Sequence, residues 1–152
     1  SIKEVNKMIN YKTGVLSLQV LDFDISKESE FNDFDDEIFI VYGFNNDIYK
    51  KLVIHDQLFY GTNCSIEFMF TKEKLVRISI SNQQHYFMKS DWLKKEDRMT
   101  VRDKNFELLK SIIPDNQKYE LDKNNRFLFK WGYITSVHDC KGGFSHIVLK
   151  YN

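Results

Sequence analysis

Histidine and cysteine side chains near the end of the chain could bind a metal ion. His138, Cys140 and His146 lie around one predicted turn, and a hairpin there would bring His138 and His146 close together. A structural zinc site needs four nitrogen or sulfur ligands, and a catalytic zinc site needs three together with a water molecule. The sequence offers only these three candidates, without CxxC or HExxH spacing. The pattern favours a hairpin with incidental histidines, and we expect no metal or other cofactor.

Cys140 could instead act as a nucleophile. His138 precedes it by two positions, so both side chains would share one face of a strand, and a neighbouring imidazole can lower the pKa of a thiol. The pair lies beside the turn glycines Gly142 and Gly143, and no asparagine is close by to orient the imidazole. The chain also lacks GxSxG and GxGxxG motifs. We expect no catalytic residues and no enzyme activity; a small enzyme or ligand-binding domain using the His138/Cys140/His146 end is the alternative.

Carboxylates are concentrated in residues 22–37, which we call the acidic segment. This segment contains Lys27 as its one basic residue and eight acids: Asp22, Asp24, Glu28, Glu30, Asp33, Asp35, Asp36 and Glu37. The spacing from Asp33 to Glu37 is similar to the start of a calcium loop, but Ile38 occupies the position where the sharp turn of that loop needs glycine. The acids therefore do not form a recognisable metal motif.

Phenylalanines are interleaved with these acids. Aromatic anchors surrounded by charge are typical of protein-binding surfaces, and an acidic surface complements a basic partner and speeds its association. The predicted partner-binding residues are Asp22, Asp24, Glu28, Glu30, Phe31, Asp33, Phe34, Asp35, Asp36 and Glu37. The alternative is a solvated acidic loop whose phenylalanines turn inward to the core.

The charges of the chain are unevenly distributed. Lysines and arginines number 22, as do aspartates and glutamates, so the formal net charge is zero. Residues 1–76 carry 8 basic and 13 acidic side chains, whereas residues 77–152 carry 14 basic and 9 acidic ones. The basic side chains between residues 94 and 104 alternate with acids, which is typical of a helix surface with salt bridges. A neutral chain argues against a dedicated nucleic-acid-binding protein, whose affinity depends on a cationic surface.

Composition and length predict one folded domain over residues 1–152. A chain that is 42% hydrophobic and 29% charged is unlike disordered or membrane proteins, and no apolar run approaches the roughly 18 residues that span a bilayer. Two cysteines without a scaffold spacing and an N-terminus without an apolar signal region predict a cytoplasmic protein. Alanine, the best helix former, is absent, which favours strands.

The hydrophobic pattern predicts an α+β fold with a mainly antiparallel sheet. We expect one clear helix near residues 100–113, opened by a capping box from Thr100 to Asp103 and stopped by Pro114, and a short N-terminal helix within residues 2–10. The predicted strands cover residues 15–25, 38–44, 48–54, 64–71, 75–81, 118–121, 126–138 and 144–151. In the hairpin formed by strands 64–71 and 75–81, Glu67 and Arg77 are expected to pair across the strands.

The whole chain resembles small cytoplasmic immunity proteins of bacterial toxin–immunity systems, including the contact-dependent inhibition type. The resemblance rests on size, on the alanine-free composition rich in Ile, Lys, Asn and Phe, on the segment ESEFNDFDDE (Glu28–Glu37), and on the closing hairpin WGYITSVHDCKGGFSHIVLKY (Trp131–Tyr151). It implies a protein that binds and neutralises one cognate toxin domain, often a nuclease, by covering its active site. Because these families share no invariant catalytic residues, the resemblance assigns no role to an individual residue.

Overall fold

An eight-stranded antiparallel sheet forms the centre of the fold in the computed structural model, which describes residues 8–35, 37–43, 48–88, 94–139 and 144–152. Its strands are β3 (Ile40–Gly43), β4 (Tyr49–Phe59), β5 (Thr62–Thr71), β6 (Lys74–Asn82), β7 (Glu120–Leu121), β8 (Phe127–Phe129), β9 (Gly132–Asp139) and β10 (Phe144–Tyr151). Their order across the sheet is β3-β4-β5-β6-β10-β9-β8-β7. Two helices, α1 (Gln83–Met88) and α2 (Lys95–Ile112), complete an α+β fold with one main helix, which confirms the predicted fold class.

The hairpin of β5 and β6 confirms the clearest strand prediction, but its register differs from the expected one. Phe68 lies opposite Ile78, so Glu67 lies opposite Ser79 rather than Arg77. The predicted Glu67–Arg77 pair is therefore wrong. The register shifts between Met69 and Phe70, next to a turn in which Lys72 and Glu73 have positive φ. Glu67 pairs instead with Lys51 of β4, at 3.4 Å between Nζ and Oε1.

One face of the sheet, which we call the core face, carries the hydrophobic core. Alternation along β5 places Ile66, Phe68 and Phe70 on this face, and all three are fully buried. Helix α2 covers the β9–β10 part of the core face: the hydroxyls of Ser136 and Ser145 donate to backbone carbonyls of α2, those of Arg102 and Arg98 respectively. The short helix α1 packs on the opposite face, where Tyr86 contacts Val53.

Helix α2 begins earlier than the sequence predicts. Its N-cap is Lys94, and Glu96 and Asp97 in the first turn suit the positive end of the helix dipole. Thr100, the predicted cap, lies inside the helix and donates its hydroxyl to the carbonyl of Glu96 at 2.9 Å. The end is as predicted, because Ile113 already has extended backbone ahead of Pro114. Of the predicted apolar side, Leu109, Ile112 and Ile113 are buried and Phe106 packs against the core.

The N-terminal region differs most from the predictions. The expected helix within residues 2–10 is wrong for Ile9 and Asn10, which form strand β1; residues 1–7 lie outside the described part of the chain. Strand β1 pairs with a two-residue strand, β2 (Val15–Leu16), and the predicted strand 15–25 continues beyond it only as a bridge between Leu16 and Ile25. The alternation in residues 15–25 reflects inward side chains on an irregular segment, since Leu16, Leu18 and Ile25 are all buried.

Two other predicted strands have different bounds in the structure. Strand β4 (Tyr49–Phe59) extends beyond the predicted strand 48–54, and its pairing with β5 has a register shift between Ile54 and Gln57. The predicted strand 126–138 is two strands, β8 and β9, separated by a turn at Lys130 and Trp131. Gly132 follows this turn with φ +154, and a Cβ there would lie 1.9 Å from the carbonyl oxygen of Lys150. Only glycine permits this close approach of β9 to β10.

Candidate protein-binding surface

The acidic segment crosses the core face of the sheet as an irregular but firmly attached chain. The backbone N–H of Phe31 donates to the carbonyl of Glu73 at 2.8 Å, and that of Leu75 donates to the carbonyl of Ser29 at 3.0 Å. These bonds tie the segment to the β5–β6 turn, where Glu30 and Lys74 form an isolated bridge. The segment is thus held by backbone hydrogen bonds although its described residues contribute no strand to the main sheet.

The short 3₁₀ helix Phe31–Asp33 organises the middle of the acidic segment. Glu30 caps this helix in a capping box, in which the backbone N–H of Glu30 donates to Oδ2 of Asp33 at 2.8 Å and the Glu30 carboxylate accepts from the backbone of Asp33. Glu30 also pairs with Lys74 at 2.7 Å. The Glu30 carboxylate, with smaller contributions from Glu28 and Asp33, holds the pKa of Lys74 above its usual range. Two of the predicted partner-binding acids therefore have local structural roles.

The acidic side chains of the segment lie on the surface, as a partner-binding role requires. The exposed ones are Asp22, Asp24, Glu28, Glu30, Asp33, Asp35 and Glu37, whereas Asp36 lies outside the described residues. Asp24 accepts a hydrogen bond from the hydroxyl of Ser17 at 2.7 Å. The segment therefore presents several carboxylates on one attached stretch of chain, and their role in binding stays a prediction.

The phenylalanines of the acidic segment turn inward, contrary to the idea of exposed anchors. Phe34 is only 5% exposed, and its ring centroid lies 5.2 to 5.3 Å from those of Phe23, Phe39, Phe68 and Phe70. Three of these contacts, with Phe23, Phe39 and Phe70, are edge-to-face, and such packing stabilises a core beyond the area that it buries. Phe34 thus attaches the acidic segment to the sheet and is not exposed to contact a partner.

Phe31 is the one predicted aromatic anchor that stays partly accessible. Its ring packs edge-on against Phe70 at 5.5 Å, and Lys50 Nζ lies 4.5 Å from its centroid. Lys50 also forms a salt bridge with Glu73. Phe31 is therefore half buried beneath a cation.

The histidines at the last hairpin are separated by the sheet. In the β9–β10 register His138 lies opposite Ser145 and His146 opposite Val137, so strand alternation places the two imidazoles on opposite faces. Nε2 of His138 accepts from Nε of Arg98 at 3.0 Å, and Nε2 of His146 lies 3.2 Å from a guanidinium nitrogen of Arg77. The expected closeness of His138 and His146 is therefore wrong, and Cys140 lies outside the described residues.

A cleft of about 260 Å³ between α2 and the sheet was not anticipated from the sequence. It is lined by Cys64, His85 and Lys104 among others, which come from separate parts of the chain, so no local motif could indicate it. Burial raises the pKa of the Cys64 thiol to about 11 and lowers that of His85. A protonated thiol is a poor nucleophile, so the chemistry of Cys64 is that of a core side chain. Within the described residues no group of three or more His, Cys, Asp or Glu is placed to hold a metal ion.

A groove of about 420 Å³, which we call the edge groove, lies at the first residue of β3, where β4 continues past its partner. It is lined by Val20, Glu37, Ile38, Ile40, Ile54, His55, Asp56 and Gln57. Strand β3 pairs with β4 only as far as Val53, and within the described residues no strand pairs with residues 54–59 on that side. The unbroken apolar run from Ile38 to Val41 was the available signal, because such a run is normally buried on both faces.

Asp56 gives the edge groove a fixed carboxylate. It has φ +61 at the register shift between β4 and β5, so it forms a bulge in β4 beyond Val53, the last residue of β4 that pairs with β3. Its backbone N–H donates to Oε1 of Gln83 at 2.6 Å, and Nε2 of Gln83 donates to Asp56 Oδ1 at 2.8 Å. Hydrogen bonds from Gln83 and, secondarily, from Asn63 hold the pKa of Asp56 below its usual range.

Comparisons with known proteins support the fold and assign no family. No protein-family profile and no curated protein sequence matches this chain. The chain superposes on one chain of the solved structure of Rhs1-CT in complex with its cognate immunity protein RhsI1, with a TM-score of 0.55 and 12% sequence identity. The superposition covers 95% of this chain and 86% of that chain. At this sequence identity, the superposition shows a shared fold alone. In the described part of this chain, no helix is both long and apolar enough to span a membrane.

Proposed function

We propose that this chain is a non-enzymatic immunity protein that binds the toxic domain of a cognate bacterial toxin and neutralises it. The observation that carries the proposal is the similarity of fold, over 95% of this chain, to a chain from a complex of Rhs1-CT with its immunity protein. That complex contains Rhs1-CT and its immunity protein, and we propose that this chain corresponds to the immunity protein. The assignment is supported by exposed carboxylates on an attached segment, which suit the binding of a basic protein surface.

The acidic segment is the proposed first point of contact with the toxin domain. A toxin that acts on nucleic acid needs a cationic groove for the phosphate backbone. Carboxylates such as Glu28, Asp35 and Glu37 are exposed and would attract that groove and speed association, while the buried ring of Phe34 keeps the segment in place. Binding over the groove would exclude the substrate of the toxin, so inhibition requires no chemistry from this chain. The protein would act in the cytoplasm of the cell that it protects, as in contact-dependent inhibition.

Co-expression with the neighbouring toxin tests the proposal. The probe is the C-terminal domain encoded by the reading frame directly upstream, expressed in a bacterial host from an inducible promoter. We expect this domain alone to stop growth, and co-expression of this chain to restore growth and yield a complex that co-elutes in gel filtration. A toxin domain from an unrelated system is the control and should stay toxic. Continued toxicity of the upstream domain without a complex would refute the proposal.

A further inference from the structure

Large apolar side chains remain exposed along the β3 edge of the sheet. The exposed ones in this region are Val20, Ile38, Ile40, Val41, Tyr42, Ile48 and Tyr49. Val41 reaches 60% exposure although it lies in a strand. Single exposed apolar residues are ordinary, but a group of them at one edge marks a surface where another molecule binds. The β3 edge is therefore the part of the described surface that most resembles an unoccupied interface.

The edge groove combines this apolar surface with fixed negative charge. Val20, Ile38 and Ile40 form an apolar wall, and Glu37 and Asp56 line the same groove. The side-chain amide of Gln83 bonds both the backbone and the carboxylate of Asp56, so this carboxylate is held before any partner arrives. A carboxylate fixed in advance loses little freedom on binding, which favours affinity. An apolar wall beside fixed carboxylates suits a side chain with an aliphatic stem and a cationic end.

We propose that the edge groove receives an arginine from the toxin domain, with its stem on Val20, Ile38 and Ile40 and its guanidinium paired with Asp56 and Glu37. The proposal rests on the proposed function, and it adds a second contact that continues directly from the acidic segment at Glu37. Arginine fits better than lysine because its planar guanidinium bonds carboxylates in pairs and is more weakly hydrated. Arginine residues at the centre of interfaces are also among those that contribute most to affinity.

A second copy of this chain fits the edge groove less well than a basic partner does. Pairing two copies through their β3 edges would bring two acidic segments and two Asp56 carboxylates towards one interface. Like charges placed together across an interface destabilise it. Charge complementarity therefore favours a basic partner as the occupant.

Two substitutions in the edge groove and two matched ones at the far edge of the sheet test the proposal. Ile38→Ser removes apolar contact, and Asp56→Asn removes the charge while asparagine tolerates the positive φ and still accepts a hydrogen bond from Gln83. The controls are Leu121→Ser and Glu120→Gln in β7, where both side chains are exposed. Calorimetric titration with the upstream-encoded toxin domain should give at least about tenfold weaker binding for each groove variant and changes within about twofold for the controls.

Salt and hydrogen exchange separate the two parts of the contact. The loss caused by Asp56→Asn should shrink between about 0.1 and 0.5 M salt, whereas the loss caused by Ile38→Ser should persist, since salt screens charge and leaves apolar contact intact. In the complex of the unsubstituted protein, amide exchange of residues 54–58 should slow. This measurement requires no substitution, so misfolding of a variant does not affect it.

Each outcome bears on the proposal. If the unsubstituted chain binds the toxin domain and the groove variants bind equally well, or residues 54–58 gain no protection, the groove proposal is overturned while the proposed function stands. If the unsubstituted chain does not bind the toxin domain, both proposals fail. If the chain alone is a dimer in sedimentation and Ile38→Ser makes it monomeric, a second copy occupies the groove and the arginine proposal is overturned.

Discussion

The indole nitrogen of Trp131 donates a 2.9 Å hydrogen bond to the carbonyl of Tyr11, which lies 120 residues earlier in the chain. The hydroxyl of Tyr151 makes a parallel connection to the carbonyl of Gly14 at 2.7 Å. Both bonds are buried, so the short N-terminal hairpin of β1 and β2 is fixed by the C-terminal strands. The first described residues of the chain thereby form part of the same core as the last ones.

Replacing Gly14 should destabilise the fold because the glycine lies against the Trp131 ring. Gly14 has φ +76, and a Cβ at this position would lie 2.4 Å from the indole. We expect Gly14→Ala to lower the free energy of unfolding by roughly 2–4 kcal/mol, as measured by urea denaturation. Gly61→Ala is the matched control: Gly61 has φ +82 with nothing within 4 Å, so only backbone strain of about 1 kcal/mol applies. Equal losses in the two variants would contradict the contact with Trp131.

Phe34 should contribute more to stability than Phe31 does. Phe34 contacts four phenylalanine rings in the core, whereas Phe31 is half buried. Phe34→Ala is expected to cost about 3–5 kcal/mol of unfolding free energy, and Phe31→Ala about half as much. Thermal and urea unfolding of both variants give the comparison. If the Phe34→Ala variant were as stable as the unsubstituted protein, the burial of the Phe34 ring in the core would be contradicted.

Charge reversal on the acidic segment should slow association with the toxin domain. Glu28→Lys combined with Asp35→Lys leaves the capping box of Glu30 and Asp33 intact, which reversal of Asp33 would break. We expect the association rate constant to fall roughly tenfold at low salt and the difference to fade at high salt. Stopped-flow kinetics measure the rate. Glu107→Lys combined with Glu120→Lys makes the same charge change elsewhere, and an equal slowing there would mean that net charge alone controls the rate.

The Cys64 thiol should react slowly in the folded protein. Burial raises its pKa to about 11 from a reference value of 9.0, so its thiolate fraction near pH 8 falls about a hundredfold. Cys140→Ser leaves Cys64 as the only thiol of the chain. Reaction of this variant with an aromatic disulfide reagent should be at least about a hundredfold slower without denaturant than in denaturant. Similar rates in the two conditions would indicate an accessible thiolate.

Local patterns predicted the parts of the fold that depend on local contacts. The β5–β6 hairpin was found from its alternation because both strands place apolar side chains on one buried face. The end of α2 was found from Pro114, whose effect on the preceding residue is steric. Strand β1 could not be found in this way, since the turn that joins it to β2 is held at Tyr11 and Gly14 by side chains far along the chain.

The candidate site was only partly predictable for the same reason. The acids of residues 22–37 are exposed as their charge requires, but composition alone could not decide whether Phe34 points outward or into the core. The edge groove is lined by side chains from three separate parts of the chain, including Val20, Ile38 and Asp56, and the bulge at Asp56 has no local sequence signal. The separation of His138 from His146 follows from a register offset of one residue, which the sequence of the turn does not reveal.

The order of strands makes the sheet two meanders joined at one seam. Strands β3 to β6 are consecutive in sequence and in space, and so are β7 to β10; among the strands that the structure describes, the two groups pair only through β6 and β10. Along that seam Ile80 lies opposite Ile147 and Ile78 opposite Leu149. Within each meander, pairing two neighbouring strands closes only a short loop of chain. Pairing β6 with β10 instead joins residues almost seventy positions apart; the Arg77–His146 contact, for example, spans 69 positions. Among the strand pairings of the main sheet, formation of the seam therefore has the largest loop-closure cost, and it should set the folding rate of that sheet.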